Sequence, residues 1–201
     1  MKNLVIGTLL SLGLISGAQA AGDATAGQSK TAVCAGCHGA DGNSMVPNFP
    51  KLAGQGEKYL LKQLNDIKSG NRVIVEMTGL LDNLNDQDLQ DIAAYYAGKK
   101  IQGGQADAEL AAVGEEIYRA GDESKGLAAC TACHGPTGAG LESAAFPALA
   151  GQHAAYIESS LVKFSKSERA NDPNQMMRGV AAKMSEADMK AVAQYIQGLY
   201  N

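Results

Sequence analysis

Apolar residues fall at helical spacing in two sets of segments that mirror each other, separated by polar and glycine-rich stretches. From Glu57 to Lys68, Leu60, Leu61, Leu64 and Ile67 lie along one face; from Asp86 to Ala97, Leu89, Ile92, Ala93 and Tyr96 do the same. A three-to-four-residue period of this kind predicts amphipathic helices. Ahead of them, Ala24 to His38 reads as a helix that Gly39 can stop in a left-handed cap. The second set comprises Ala108 to Arg119, Ala154 to Lys166 and Glu186 to Leu199. Asn85 is a candidate N-cap, and Ser185 with Asp188 resembles a capping box with Asp in place of the usual Glu. No segment sustains strand alternation, so the expected class is all-α.

The two sets are copies. Asn48-Phe49-Pro50-Lys51-Leu52-Ala53-Gly54-Gln55 returns 97 positions later as Ala145-Phe146-Pro147-Ala148-Leu149-Ala150-Gly151-Gln152, and Tyr59, Leu64 and Ile67 return as Tyr156, Leu161 and Phe164. Further on the offset is 100, and Met77, Leu84, Asp88, Leu89 and Tyr95 fall on Met177, Met184, Asp188, Met189 and Tyr195. Two long copies imply a duplicated domain; a solenoid needs more and shorter units. The copies differ at Gly121 to Leu127, a loop the first lacks. Between them Gly98 to Gln105 has a linker's composition. The expected division is a first domain over 21–98, a linker over 99–106 and a second domain over 107–201.

Residues 1–20 stand apart from this pattern. Lys2, the apolar stretch Leu4 to Ile15 and the small-residue site Ala18-Gln19-Ala20 predict a cleaved secretory signal peptide and export to the periplasm. Removing them from the 201 residues leaves 181, with no later stretch apolar enough to span a membrane. With no Trp and three Phe, two domains of this size would have thin cores, so something else must supply apolar volume.

The four cysteines supply the candidate. Cys34-Ala35-Gly36-Cys37-His38 recurs as Cys130-Thr131-Ala132-Cys133-His134 and uses every cysteine in the chain. C-x-x-C-H is the attachment pattern of c-type haem, joined through thioethers to both cysteines with the histidine as an axial iron ligand. On a helical turn the three side chains share one face, which lets two thiols reach the macrocycle edge while the imidazole reaches its centre. Two disulfides, or one zinc held by both pairs, are the alternatives; zinc would need the pairs to converge on one metal. The expected cofactors are therefore two covalently bound c-type haems.

The sixth iron position decides between carrier and catalyst. Of the three histidines only His153 lies outside the motifs, and it aligns with Gly56 at a helix start. Methionine is the better source. Met77-Thr78-Gly79 and Met177-Arg178-Gly179 correspond, in expected loops some forty residues after each histidine. Met184 and Met189 align with Leu84 and Leu89, Met176 aligns with Glu76, and Met45 has no methionine counterpart. Met77 and Met177 are thus the expected distal ligands, opposite His38 and His134. The carbonyls of Pro50 and Pro147 are candidates to fix the histidine tautomers, with turn formation as the alternative role of those prolines.

These features together resemble the dihaem cytochrome c4 family of bacterial electron carriers. The resemblance rests on the two C-x-x-C-H motifs, the repeated Phe-Pro-x-Leu-Ala-Gly-Gln segments, Glu76-Met77-Thr78-Gly79 and Arg178-Gly179-Val180-Ala181-Ala182-Lys183. It implies two class I cytochrome c folds about a pseudo-twofold, with Met77 and Met177 as distal ligands. It also implies electron transfer from a quinol-oxidising complex towards a haem-copper terminal oxidase, in some members with peripheral membrane association. Gly135-Pro136-Thr137 and an Asn171-Asp172-Pro173 insertion depart from the pattern in loops. Two rivals share the haems: a dihaem peroxidase-like enzyme with one open iron, and a subunit serving a dehydrogenase or oxidase.

Charge adds little. Without Lys2, 16 basic and 21 acidic residues remain; with the linker lysines counted in the first half, 8 basic face 9 acidic there and 8 face 12 in the second. No basic cluster suggests nucleic acid.

Overall fold

A computed structural model describes residues 22–200; the expected signal peptide and its cleavage site lie outside the described residues. Nine α-helices are present among them: α1 Ala24–Lys30, α2 Ala32–His38, α3 Glu57–Lys68, α4 Asp86–Ala97, α5 Ala108–Ala120, α6 Thr131–His134, α7 Ala154–Ser165, α8 Met176–Ala181 and α9 Glu186–Gly198. Among the described residues extended pairing is limited to two isolated bridges, Asp122 with Leu127 and Leu141 with Phe146. The first of these closes the loop that only the second copy carries.

One expected helix is two. The Ala24–His38 helix breaks at Thr31, whose hydroxyl donates to the Gln28 carbonyl at 2.9 Å while its backbone leaves helical geometry. A β-branched residue that bonds back to the preceding turn weakens the helix there. Gly39 stops α2 with positive φ but extended ψ (79°, 152°), so it is a glycine stop without the left-handed geometry. Asn85 and Ser185 both close full capping boxes with Asp88 and Asp188, so the second device is present in the first copy too.

In each copy the first helix crosses the last at a glycine. A Cβ on Gly27 would lie 2.0 Å from the Asp91 carbonyl oxygen, and one on Gly114 would lie 2.1 Å from that of Ala191. Asp91 and Ala191 are equivalent, so the two crossings are the same contact. The third helix then covers the last: Leu60 of α3 packs with Ile92, Ala93 and Tyr96 of α4, and Ile157, Leu161 and Phe164 of α7 pack with Met189, Val192 and Ile196 of α9. Gly54 N–H donates to the Tyr96 carbonyl and Gly151 N–H to that of Ile196, both at 3.0 Å.

One core tyrosine has changed helices. In the first copy Tyr96, on α4, is buried beside Thr31 and Cys34 and stands edge-on to Tyr95 at 5.1 Å. In the second, Ile196 occupies the Tyr96 position, and Tyr118, in the place of Thr31 on α5, is buried beside Cys130 at 5.3 Å from Tyr195.

Asp91 ties the first copy together. Its carboxylate accepts from the Asp23 N–H, the Lys30 ammonium and the Gln87 amide. The Lys30 bond first, then the Asp23 N–H and the Gln87 amide, hold this carboxyl down at about 2 against an ordinary 3.8. A carboxylate depressed by folding adds stability above its ordinary pKa and loses it as pH falls towards its folded value. Asp91→Asn is therefore expected to flatten the fall in stability between about pH 4 and pH 2. Denaturant unfolding across that range reads it, and an unaltered acid limb would count against the assignment.

The glycine-rich run between the copies is bonded to both. Gln102 N–H donates to Asn43 Oδ1 at 2.8 Å, the Asn43 amide donates to the Lys100 carbonyl at 3.1 Å, and Gly104 N–H donates to the Gln197 carbonyl at 3.2 Å. Across the interface the guanidinium of Arg72 reaches Tyr156 Oη at 3.0 Å, and that of Arg169, its equivalent, reaches Tyr59 Oη at 2.9 Å. The copies therefore face each other about a pseudo-twofold axis. Among the described residues no helix is long and apolar enough to cross a membrane.

Candidate haem chamber

A single cavity of about 770 Å³ opens into both copies and is lined by Cys34, Cys37 and His38 on one side and by Cys130, Cys133 and His134 on the other. Each motif sits at the end of a short helix whose axis places the histidine inward: His38 and His134 are both buried. Each imidazole is held by a carbonyl from the loop that follows. His38 Nδ1 lies 2.8 Å from the Pro50 oxygen and His134 Nδ1 lies 2.9 Å from the Pro147 oxygen. A carbonyl only accepts, so Nδ1 carries the proton and Nε2 keeps a lone pair for a metal. Phe49 and Phe146 flank these rings at the same centroid distance, 6.4 Å.

Met77 and Met177 both line the chamber and are half-buried. Their settings are not the loops expected from the sequence. Met77 ends a 3₁₀ turn over Val75–Met77, and Met177 lies in the first turn of α8. The helix forms there because Asn174 and Gln175 both take positive φ (52° and 58°) and turn the chain, while Asp172 accepts from the Arg178 N–H at 3.0 Å and from its guanidinium at 2.7 Å. Asp172 belongs to the Asn171-Asp172-Pro173 insertion, so that departure positions α8. Of the other described methionines, Met45 is 90% exposed, Met176 also lines the chamber but is exposed, Met184 borders the chamber from the second core, and Met189 is buried in that core.

The cytochrome c family model matches twice, over residues 24–97 and 111–200. The cytochrome c4 of Pseudomonas aeruginosa is 56% identical over 201 residues, all of this chain and all of that one. This chain belongs to the cytochrome c4 family. The crystal structure of reduced recombinant cytochrome c4 from Pseudomonas stutzeri is similar with a TM-score of 0.88 at 55% identity, covering 90% of this chain and 100% of that one. A more distant relative, the thiosulfate dehydrogenase electron acceptor of Thiomonas intermedia, is 38% identical over 83% of this chain and 78% of its own.

Membership in the cytochrome c4 family brings two covalently bound c-type haems and a role in electron transfer. The residues present fit such groups. Burial pushes both imidazoles towards the neutral form, against the opposing pull of the Pro50 and Pro147 carbonyls. Burial likewise pushes the Cys34 thiol up and that of Cys130 up to about 11. Among the described residues no cluster of His, Cys, Asp or Glu side chains is placed to hold a metal directly, and none of the four cysteines is bridged. Haems filling this chamber would supply the apolar volume that two cores poor in large side chains lack.

His153 is not part of either set. Its Nε2 donates to the Ser44 carbonyl at 2.9 Å, across the interface. Three features escaped the sequence reading. Lys51 is 7% exposed, and its ammonium donates to the carbonyls of Gln102 and Gly151. Arg72 and Arg169 converge on one acceptor, Gln63 Oε1, at 2.8 and 3.2 Å. Gln55 and Gln152 each bond both the N–H and the carbonyl of one residue in the opposite copy, Ala148 and Lys51. The repeated Gly-Gln was visible, but partners about a hundred residues away leave no local signal.

Proposed function

We propose that the chain is a periplasmic carrier of single electrons, with Cys34, Cys37, Cys130 and Cys133 as the thioether positions and His38, Met77, His134 and Met177 as the axial ligands. The observation that carries this reading is the single chamber, in which each copy presents one buried, oriented imidazole and one thioether sulfur. The bound haem supplies a one-electron Fe(II)/Fe(III) couple. The chain does the rest. Pro50 and Pro147 fix the histidine tautomer, the Met77 and Met177 thioethers would hold the iron and favour its reduced state, and the apolar walls would exclude water. Chamber continuity suits transfer between the two sites.

The donor and acceptor proposed are a quinol-oxidising complex and a haem-copper terminal oxidase, with peripheral membrane association as a further proposal. Similarity to the thiosulfate dehydrogenase electron acceptor favours a second reading, in which the same carrier takes electrons from a dehydrogenase. The peroxidase-like reading needs an open iron and a nearby acid or base. His153, the sole histidine outside the motifs, is spent on the Ser44 carbonyl.

The test is the dithionite-reduced visible spectrum before and after carbon monoxide. Sharp c-type bands that ignore the gas are expected, because with histidine and methionine both bound neither iron would have an open position. A shift in about half of the haem would instead mean one open iron, and the enzyme reading would replace this one.

A further inference from the structure

The peptide that orients each axial histidine is itself gripped by the opposite domain. The Pro50 carbonyl that accepts from His38 Nδ1 at 2.8 Å shares its peptide plane with the Lys51 N–H, which donates to Gln152 Oε1 at 2.8 Å. Gln152 Nε2 returns a bond to the Lys51 carbonyl at 2.8 Å. The second site repeats this in mirror. Pro147 accepts from His134 Nδ1 at 2.9 Å, the Ala148 N–H of the same peptide donates to Gln55 Oε1 at 2.8 Å, and Gln55 Nε2 donates to the Ala148 carbonyl at 2.9 Å. Both glutamines are buried, and each Oε1 is pinned further by the N–H of the next residue, His153 or Gly56, at 3.0 Å.

We propose that Gln152 and Gln55 are positioning residues acting crosswise: Gln152, in the second copy, tunes the iron held by His38, and Gln55, in the first, tunes the iron held by His134. An acceptor on a peptide N–H pushes electron density towards the carbonyl of the same conjugated unit. A more basic carbonyl draws harder on Nδ1–H and makes the imidazole a stronger donor to iron. A stronger donor favours ferric iron, so each glutamine lowers the potential of the haem in the other domain. Docking of the two copies thereby becomes an input to both potentials, carried by two hydrogen bonds and the peptide between them from one domain to the axial ligand of the other.

The inference rests on His38 and His134 being axial ligands, and its test separates the two ideas. Gln152→Met and Gln55→Met keep side-chain length and remove both polar partners. Each variant is taken through a spectroelectrochemical titration, with proton NMR of the ferric protein assigning each potential through the Met77 and Met177 methyl resonances. Gln152→Met is expected to raise the potential of the first-domain haem alone, by roughly threefold in its reduction equilibrium, about 30 mV for one electron. Gln55→Met is expected to raise the second alone.

Unchanged potentials would overturn the proposal, as would a shift at the haem of the mutated domain. A fall in both potentials would also overturn it, since loosened docking that admits water favours the more charged ferric state. Either variant suffices if the other does not fold. Loss of histidine ligation in the wild-type NMR spectrum would instead sink the axial assignment.

Discussion

Met177→Ala is expected to leave both haems attached and to let carbon monoxide bind half of the reduced haem. The thioethers and His134 remain, so the group stays in place, while alanine cannot reach the metal from the first turn of α8. The affected potential should fall well below that of the wild type, because a thioether ligand favours ferrous iron. Met77→Ala should do the same for the other half, and the double variant should expose all of it. Met45→Leu and Met184→Leu are the controls: one side chain is open to solvent and the other packs in the second core, and neither should admit the gas. If Met177→Ala and Met77→Ala both ignored carbon monoxide, the distal assignment would fail.

The helix crossings carry the largest effect on stability. Gly114→Ala puts a methyl group 2.1 Å from the Ala191 carbonyl oxygen, inside contact distance of the backbone. Rotation of a side chain cannot relieve it, so α5 and α9 must separate, and the core between them opens. Overpacking of this kind costs about 1–3 kcal/mol and at times more; with backbone on both sides the upper end is expected. For a domain of this size that corresponds to a fall of about 4–8 °C in Tm per kcal/mol. Gly27→Ala should weaken the first domain similarly through the Asp91 carbonyl. Val113→Ala, beside Gly114 on an exposed part of the same helix, should change stability by no more than about 0.5 kcal/mol. Calorimetry of the holoproteins decides the matter, and equal melting temperatures for Gly114→Ala and Val113→Ala would remove the crossing from the account.

Both results depend on how far local signals reach. Apolar spacing places α3 and α4 at their observed ends, because each buries a continuous face on its own neighbours. The C-x-x-C-H pentapeptides and the paired Phe-Pro loops mark the chamber for the same reason: histidine and proline carbonyl lie within thirteen residues of each other. The break at Thr31 is less visible, since it turns on one hydroxyl bonding back to Gln28. The helix bearing Met177 is less visible because Asp172-Pro173 opens only a short 3₁₀ turn, and positive φ at Asn174 and Gln175 breaks the chain's helical course before α8 begins, a backbone feature that composition does not announce. The interface is least legible of all. Gln55, Gln152, Lys51, Arg72 and Arg169 read as ordinary polar positions until the copies face each other, and only then do their partners exist.

Tyr96 and Tyr118 place the same ring in equivalent cores from different helices. The two copies are therefore no longer interchangeable in pieces. A crossover between the repeats that joined α1 and α2 to α9 would pair Thr31 with Ile196 and leave a hole beside Cys34. The reciprocal join of α5 to α4 would bring Tyr118 and Tyr96 into a space that accommodates one ring. Only an exchange falling between the two tyrosine positions does this, and any recombinant of that kind inherits a damaged core. The displaced tyrosine thus ties each copy's first helices to its own last helix.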